Sequence, residues 1–225
     1  MKPRLQPPPR LHGFAPVATA RARVLILGSM PGKASLAAAQ YYAHPQNQFW
    51  RILGELAGAG RELPYPERLR RLQAAGIALW DVLASCTRPG SLDADICPAS
   101  RMANDFGPFF AAHPGLRRIC FNGATAEALF RRRVLPGLTL PPGCTVRRLP
   151  STSPAHAALP YARKLELWRD ALAPFSARYR ASPGAPPNHP PAAALPQLPA
   201  PPRQGPADGR GSRPGRRRGA PVRGR

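Results

Sequence analysis

Short apolar runs that stop at a turn-forming residue recur along this chain, and they limit its fold more than any other feature. "RVLILG" (residues 23–28) ends in Gly28 and has the length and composition of a buried strand. "IALWDVL" (77–83) and "RRICFNG" (117–123) repeat the form, and "CTVRRLPSTSP" (144–154) offers a fourth strand and a loop. Between them lie segments of helical spacing. "NQFWRILGELAG" places Phe49, Trp50, Leu53 and Leu56 on one face, with Asn47 in position to cap it. "ERLRRLQAAG", "ATAEALFRRRV" and the amphipathic "ARKLELWRDALAPF" are further helix candidates. Strands that alternate with helices predict an α/β fold whose parallel sheet is covered on both faces. Sites in such sheets lie beyond the carboxyl ends of the strands. The chemistry is therefore expected from four loops, at residues 28–32, 81–88, 122–125 and 150–156.

Charge points to a partner. The 225 residues carry 33 Lys and Arg against 11 Asp and Glu, a formal net charge of +22. A balance that basic suits a polyanion, nucleic acid ahead of a membrane surface. A GC-rich coding bias toward Arg, Ala and Pro is the plain alternative. Composition changes after Arg180: residues 181–225 are mainly Pro, Gly, Ala and Arg and end "GRGSRPGRRRGAPVRGR". Such a tail is expected to be disordered, because it cannot bury enough apolar surface to offset ordering. Its eight arginines (203, 210, 213, 216, 217, 218, 223 and 225) face a single acid, Asp208. They would add non-specific phosphate contacts, or the tail is inert. The expected organisation is a flexible segment at 1–13, a catalytic domain at 14–180 and the basic tail.

No stretch approaches the roughly 20 apolar residues of a membrane span. The start, "MKPRLQPPPRLHGF", lacks an apolar core for a secretory signal. A cytoplasmic protein, held at the nucleoid by DNA, is the expectation, with Cys86, Cys97, Cys120 and Cys144 reduced. None of the four cysteines is paired at CxxC spacing, which favours structural thiols over a metal or iron–sulfur site.

"LGSMPG" follows a strand but matches neither GxGxxG nor GxxxxGK[ST], so a nucleotide-phosphate loop is disfavoured. Taken with "YYAHPQNQFW", "GIALWDVL", "CFNGATA" and "LPSTSPAHA", in that order, the chain resembles the uracil-DNA glycosylase superfamily. Within it, the resemblance is to the hypoxanthine-DNA (DNA-deoxyinosine) glycosylase branch. It covers residues 14–179 and none of the tail. It implies a three-layer αβα fold with a central four-stranded parallel sheet. It also implies a monofunctional enzyme that flips hypoxanthine, and with it uracil, from DNA and hydrolyses the N-glycosidic bond. No cofactor or metal is called for, and a monomer suffices. The alternatives are an iron–sulfur-type uracil glycosylase and a non-catalytic DNA-binding relative.

The same resemblance assigns roles residue by residue. Gly28, Ser29, Met30, Pro31 and Gly32 form the active-site loop. Similar mismatch-specific enzymes carry a water-positioning polar residue where this chain has Met30, whose thioether cannot do that work. Asn47 is the candidate replacement, since a carboxamide can place a water; capping the next helix is its other reading. Tyr42 falls where a base-stacking aromatic sits, with Tyr41 shaping the pocket and His44 offering a polar contact. Core packing, for the tyrosines, and a structural turn, for His44, are the other readings. Asp81 stands where similar enzymes read the base edge. As a carboxylate it would accept from hypoxanthine N1–H and repel the bare N1 of adenine. Its other reading is a strand-end cap. Ser151, Thr152, Ser153, Pro154 and His156 occupy the place of a loop that wedges into DNA. Asn122 and Gly123 would lie near a phosphate or the base, or would only turn the chain.

Overall fold

The computed structural model describes residues 9–176, and side chains up to Ala173. The tail at 181–225 lies outside the described residues. In chain order the strands are β1 (Arg10–His12), β2 (Val24–Gly28), β3 (Ile77–Asp81), β4 (Leu83–Thr87), β5 (Met102–Ala103), β6 (Arg118–Asn122) and β7 (Thr145–Leu149). The helices are α1 (Lys33–Ala38), α2 (Phe49–Ala57), α3 (Tyr65–Ala74), α4 (Phe106–Ala112), α5 (Ala124–Arg133) and α6 (Tyr161–Ser176).

The four apolar runs form one parallel sheet in the order β3-β2-β6-β7. Successive strand side chains point to opposite faces, and both faces are covered. Val24, Ile26, Ile77, Leu79, Cys120 and Leu149 pack against Phe49, Trp50, Leu53, Leu72 and Trp168 of α2, α3 and α6. Leu25, Leu27, Ala78, Trp80, Ile119 and Phe121 pack against Phe106, Phe109, Phe110, Leu129 and Phe130 of α4 and α5. This is the three-layer αβα arrangement. Burial on both sides explains why β2 and β3 read as unbroken apolar runs rather than alternating ones.

Two features depart from the sequence reading. "IALWDVL" is not one strand: β3 ends at Asp81, and after Val82 the chain enters β4. With β1 and β5, β4 makes a small antiparallel sheet in the order β1-β4-β5. Arg10–His12 therefore fall inside the segment expected to be flexible, yet pair with β4 residue for residue, Arg10 opposite Thr87 and His12 opposite Ser85. Pairing supplies the reason, since an uncovered β4 edge would leave its backbone groups unsatisfied.

The strand order fixes where a site can form. From β2 the chain first crosses to β3 on one side and only later to β6 on the other. The crevice beyond β2 and β6 is the switch point of the sheet. Gly28 and Asn122 stand at its rim, with Asp81 beside Gly28 in register.

Candidate active site

Three strand ends bring unlike groups to one point. A Cβ built on Gly28 would lie 2.3 Å from Asp81 Oδ1 and 3.2 Å from the Tyr42 hydroxyl. Glycine is required here because carboxyl and phenol both close on its Cα. Tyr42 arrives through a left-handed backbone conformation, φ +55°, and lies flat on Phe49, ring centroids 3.8 Å apart and planes within 17°. Its ring is half-buried while its hydroxyl is shut away from solvent. Among the described residues neither that hydroxyl nor Asp81 Oδ2 has a hydrogen-bond partner, although Asn122 lies close to the phenol. Leaving a buried polar group unpaired costs about 1–3 kcal/mol. Two such groups side by side at one end of the sheet are unusual, since most buried polar groups are paired.

The electrostatics follow from burial. Asp81 is 3% exposed. Loss of solvent, and then the charge of Asp93, push its carboxyl up to about 8, against a partial offset from Arg88. The shift works against the anionic form expected for Asp81, while the residue stands where the sequence put it, at the end of β3. The Tyr42 phenol is raised by the same burial and by Asp81.

The loop at residues 28–32 is clamped by two residues not singled out from sequence. Asp93, in the 3-10 turn Asp93–Asp95, accepts from the Ser29 hydroxyl at 2.7 Å. Arg88, with no exposed side-chain surface, donates to the Pro31 carbonyl at 2.7 Å and turns toward Asp93 Oδ1 at 4.0 Å. Burial raises the Asp93 carboxyl, offset by Ser29 and Arg88. A signal was present in "TRPGSLD" (87–93), where opposite charges follow a strand end, Arg88 closing an expected loop and Asp93 lying beyond it. Met30, 6% exposed, turns into the core formed with α4 and α5. Its side chain thus serves packing.

The remaining candidates separate into support and surface. Tyr41 is a core residue: its hydroxyl donates to the Ala15 carbonyl, its N–H donates to Tyr65 and its carbonyl accepts from Trp50. His44 is exposed and accepts from the Gln46 N–H through Nδ1, a turn contact. Asn47 Oδ1 accepts from the Phe49 N–H at 2.9 Å, as a residue guarding the start of α2 does, and its carbonyl accepts from Arg61. The neighbouring Gln48, not singled out from sequence, has a buried Oε1 without a partner among the described residues.

The Ser-rich loop is tied to β6 and α6. Asn122 bonds Thr152 twice, donating to its hydroxyl and accepting from its N–H, both at 2.9 Å. Gly123 adopts φ +102° against Ser151, where a Cβ would come within 3.0 Å of the serine Cβ. Ser151 and Ser153 accept from the N–H groups of Ser153 and Ala155, which shapes the turn. From below, buried Lys164 donates to the His156 carbonyl at 2.6 Å and Trp168 donates to the Pro150 carbonyl. Pro154 and the His156 ring remain at the surface. The Thr152 carbonyl accepts from the Gln48 N–H, so the loop and the Asn47 segment meet.

The uracil DNA glycosylase superfamily profile matches residues 15–172. The chain belongs to this superfamily. The chain is 36% identical over 146 residues to a hypoxanthine DNA glycosylase of Methanosarcina acetivorans, spanning 64% of this chain and 87% of that one. It is 39% identical over 113 residues to a hypoxanthine DNA glycosylase of Methanosarcina barkeri, 50% of this chain and 70% of that one. A solution NMR structure from M. acetivorans, provisionally described as a uracil DNA glycosylase, superposes with a TM-score of 0.61 at 33% identity. It covers 74% of this chain and 98% of the other. Among the described residues of this superfamily member no group of three or more His, Cys, Asp or Glu is arranged to hold a metal. Nor is any helix there long and apolar enough to cross a membrane.

Proposed function

We propose that this protein is a monofunctional DNA glycosylase that flips a deaminated base, hypoxanthine first and uracil second, out of DNA and hydrolyses its N-glycosidic bond. The observation that carries the reading is the pair of unsatisfied groups, Asp81 Oδ2 and the Tyr42 hydroxyl, at the Gly28 end of β2. The names of the two Methanosarcina relatives support the substrate.

In the reaction the C1′–N bond breaks with its electron pair leaving on the base, and charge builds up on both fragments. Water adds to C1′, and the proton it sheds balances the one taken up by the departing base. Tyr42, backed by Phe49, stacks on the flipped heterocycle, an interaction worth about 1–3 kcal/mol for any flat base. Asp81 reads the base edge. Asn47 places the water: its carboxamide oxygen has a second lone pair beyond the one given to Phe49, and its NH2 can donate. The Ser-rich loop, stiffened by Pro154 and held by Asn122, Lys164 and Trp168, enters the space vacated in the stack. Water is the only co-reactant, and one chain holds every group named. DNA containing deaminated bases is the partner, and the cytoplasm with its nucleoid is where such a substrate is met.

The test is single-turnover excision on duplexes carrying one hypoxanthine, one uracil or only normal bases, read by heat and alkali cleavage of the abasic product. Release from the hypoxanthine duplex is expected. Asn47→Ala should slow it on the order of 10²-fold through a misplaced water, while losing about 1 kcal/mol of stability as a cap. A wild-type rate in Asn47→Ala would leave Asn47 as a cap alone. Tight binding without release from any duplex would point to a non-catalytic relative, the reading that the inward-turned Met30 favours.

A further inference from the structure

Buried Arg88 is the cation that faces Asp81, and it makes no hydrogen bond to the Asp81 carboxyl. Asp93 faces it from the 3-10 turn, Arg88 from the loop after β4, Tyr41 and Tyr42 from the segment before α2, and Tyr65 from α3. Arg88 directs its bonded nitrogen to the Pro31 carbonyl and its other terminal nitrogen toward Asp93. No N–H or O–H among the described residues bonds Asp81 Oδ2. Asn104 Nδ2 donates to the Asp81 main-chain carbonyl at 2.8 Å, which fixes the strand end and gives the carboxyl no hydrogen bond. A buried carboxyl so placed takes up a proton rather than remain charged without a partner.

We propose that Asp81 works as a neutral carboxylic acid, donating to the exocyclic oxygen of a lactam base and accepting from the adjacent ring N–H. The proposal deepens the glycosylase reading and rests on it. Hypoxanthine (O6 and N1–H) and uracil (O4 and N3–H) present the same carbonyl beside a ring N–H. An acid meets that edge with two hydrogen bonds, whereas a carboxylate makes one and sets its charge against the carbonyl oxygen. The chemistry favours the acid again in the transition state. The departing base gains negative charge, which an anion would oppose and an O–H donor steadies. Adenine presents N6–H2 and a bare N1, which an acid protonated on its other oxygen also pairs, so rejection of adenine falls to pocket shape and to the cost of breaking its pair. Guanine shares the lactam edge, and its rejection falls to pocket shape at the 2-amino group and to the cost of breaking its pair.

The experiment is single-turnover excision of hypoxanthine by the full-length protein from pH 6 to 9.5, for wild type, Asp81→Asn and Asp81→Leu. An amide offers the same donor and acceptor and does not titrate. Wild type should be active below and lose about tenfold between pH 7 and 9, as a group titrating near 8 gives up its proton. Asp81→Asn should excise more slowly than wild type at neutral pH but lack that fall. Alkaline loss of the N1–H of the substrate lowers both profiles alike and is removed by taking their ratio. Asp81→Leu should stay folded, checked by thermal melting, and lose excision at every pH. Parallel wild-type and Asp81→Asn profiles would overturn the proposal and leave the glycosylase reading standing. Inactivity of a folded Asp81→Asn equal to that of Asp81→Leu would do the same, because it would mean the charge is needed. Absence of release by wild type at all pH values would overturn both together.

Discussion

Gly28 shows how much of the site depends on one missing methyl group. Alanine there would place its Cβ 2.3 Å from Asp81 Oδ1 and force the carboxyl and Tyr42 apart. Overpacking of this kind costs about 1–3 kcal/mol. Gly28→Ala should therefore lower the unfolding free energy by that amount, read by chemical denaturation, and reduce excision further than the lost stability explains. Asp81 also couples stability to pH. Its folded value, about 8, lies above the ordinary 3.8, so between them the folded state keeps a proton that the unfolded chain has released. Raising pH through that window favours unfolding. Melting temperatures at pH 5 and pH 8 should show Asp81→Asn gaining on wild type as pH rises; a constant difference would mean Asp81 is already ionised. The position of Asp81 was legible in the sequence because it ends an apolar run. The upward shift of its carboxyl was not, since that depends on burial and on Asp93, twelve residues away along the chain and supplied by a separate turn. Tyr42 was legible from its place before "AHP", whereas the core role of Tyr41 emerges only from what its hydroxyl reaches.

At the level of elements, the four strands of the parallel sheet were readable because full burial writes them as short apolar runs. The small sheet of β1, β4 and β5 was not. β4 continues almost directly from β3, and β1 gains its form only by pairing with it. Helices α1 and α4 are short, with Gly or Pro at or near their starts, and carry little periodic signal. The link between β6 and the Ser-rich loop gives a clear test. Asn122→Ala removes two hydrogen bonds to Thr152, which should cost about 1–3 kcal/mol in chemical denaturation at roughly 1 kcal/mol per bond. It should also slow excision, because the loop would reach DNA less well ordered. Unchanged excision in this variant would show that the loop keeps its shape through Lys164 and Trp168 alone.

Over the whole molecule the net charge of +22 is shared between the domain and the tail. Residues 181–225 contribute eight Arg and one Asp, a formal +7, so removal of the tail leaves +15. Each phosphate contact the tail makes adds about 0.9 to the salt slope of duplex binding. A chain ending at residue 180 should thus bind DNA with a shallower salt dependence and, at saturating enzyme, excise at the full-length rate. Equal slopes would mark the tail as inert in DNA binding. The central claim is hydrolysis of a base from DNA, and its most direct measurement is mass spectrometry of a hypoxanthine duplex incubated with the protein in H2¹⁸O. The account predicts free, unlabelled hypoxanthine and an unbroken strand whose abasic site carries ¹⁸O at C1′. An unchanged duplex under conditions where the protein binds it tightly would contradict that claim.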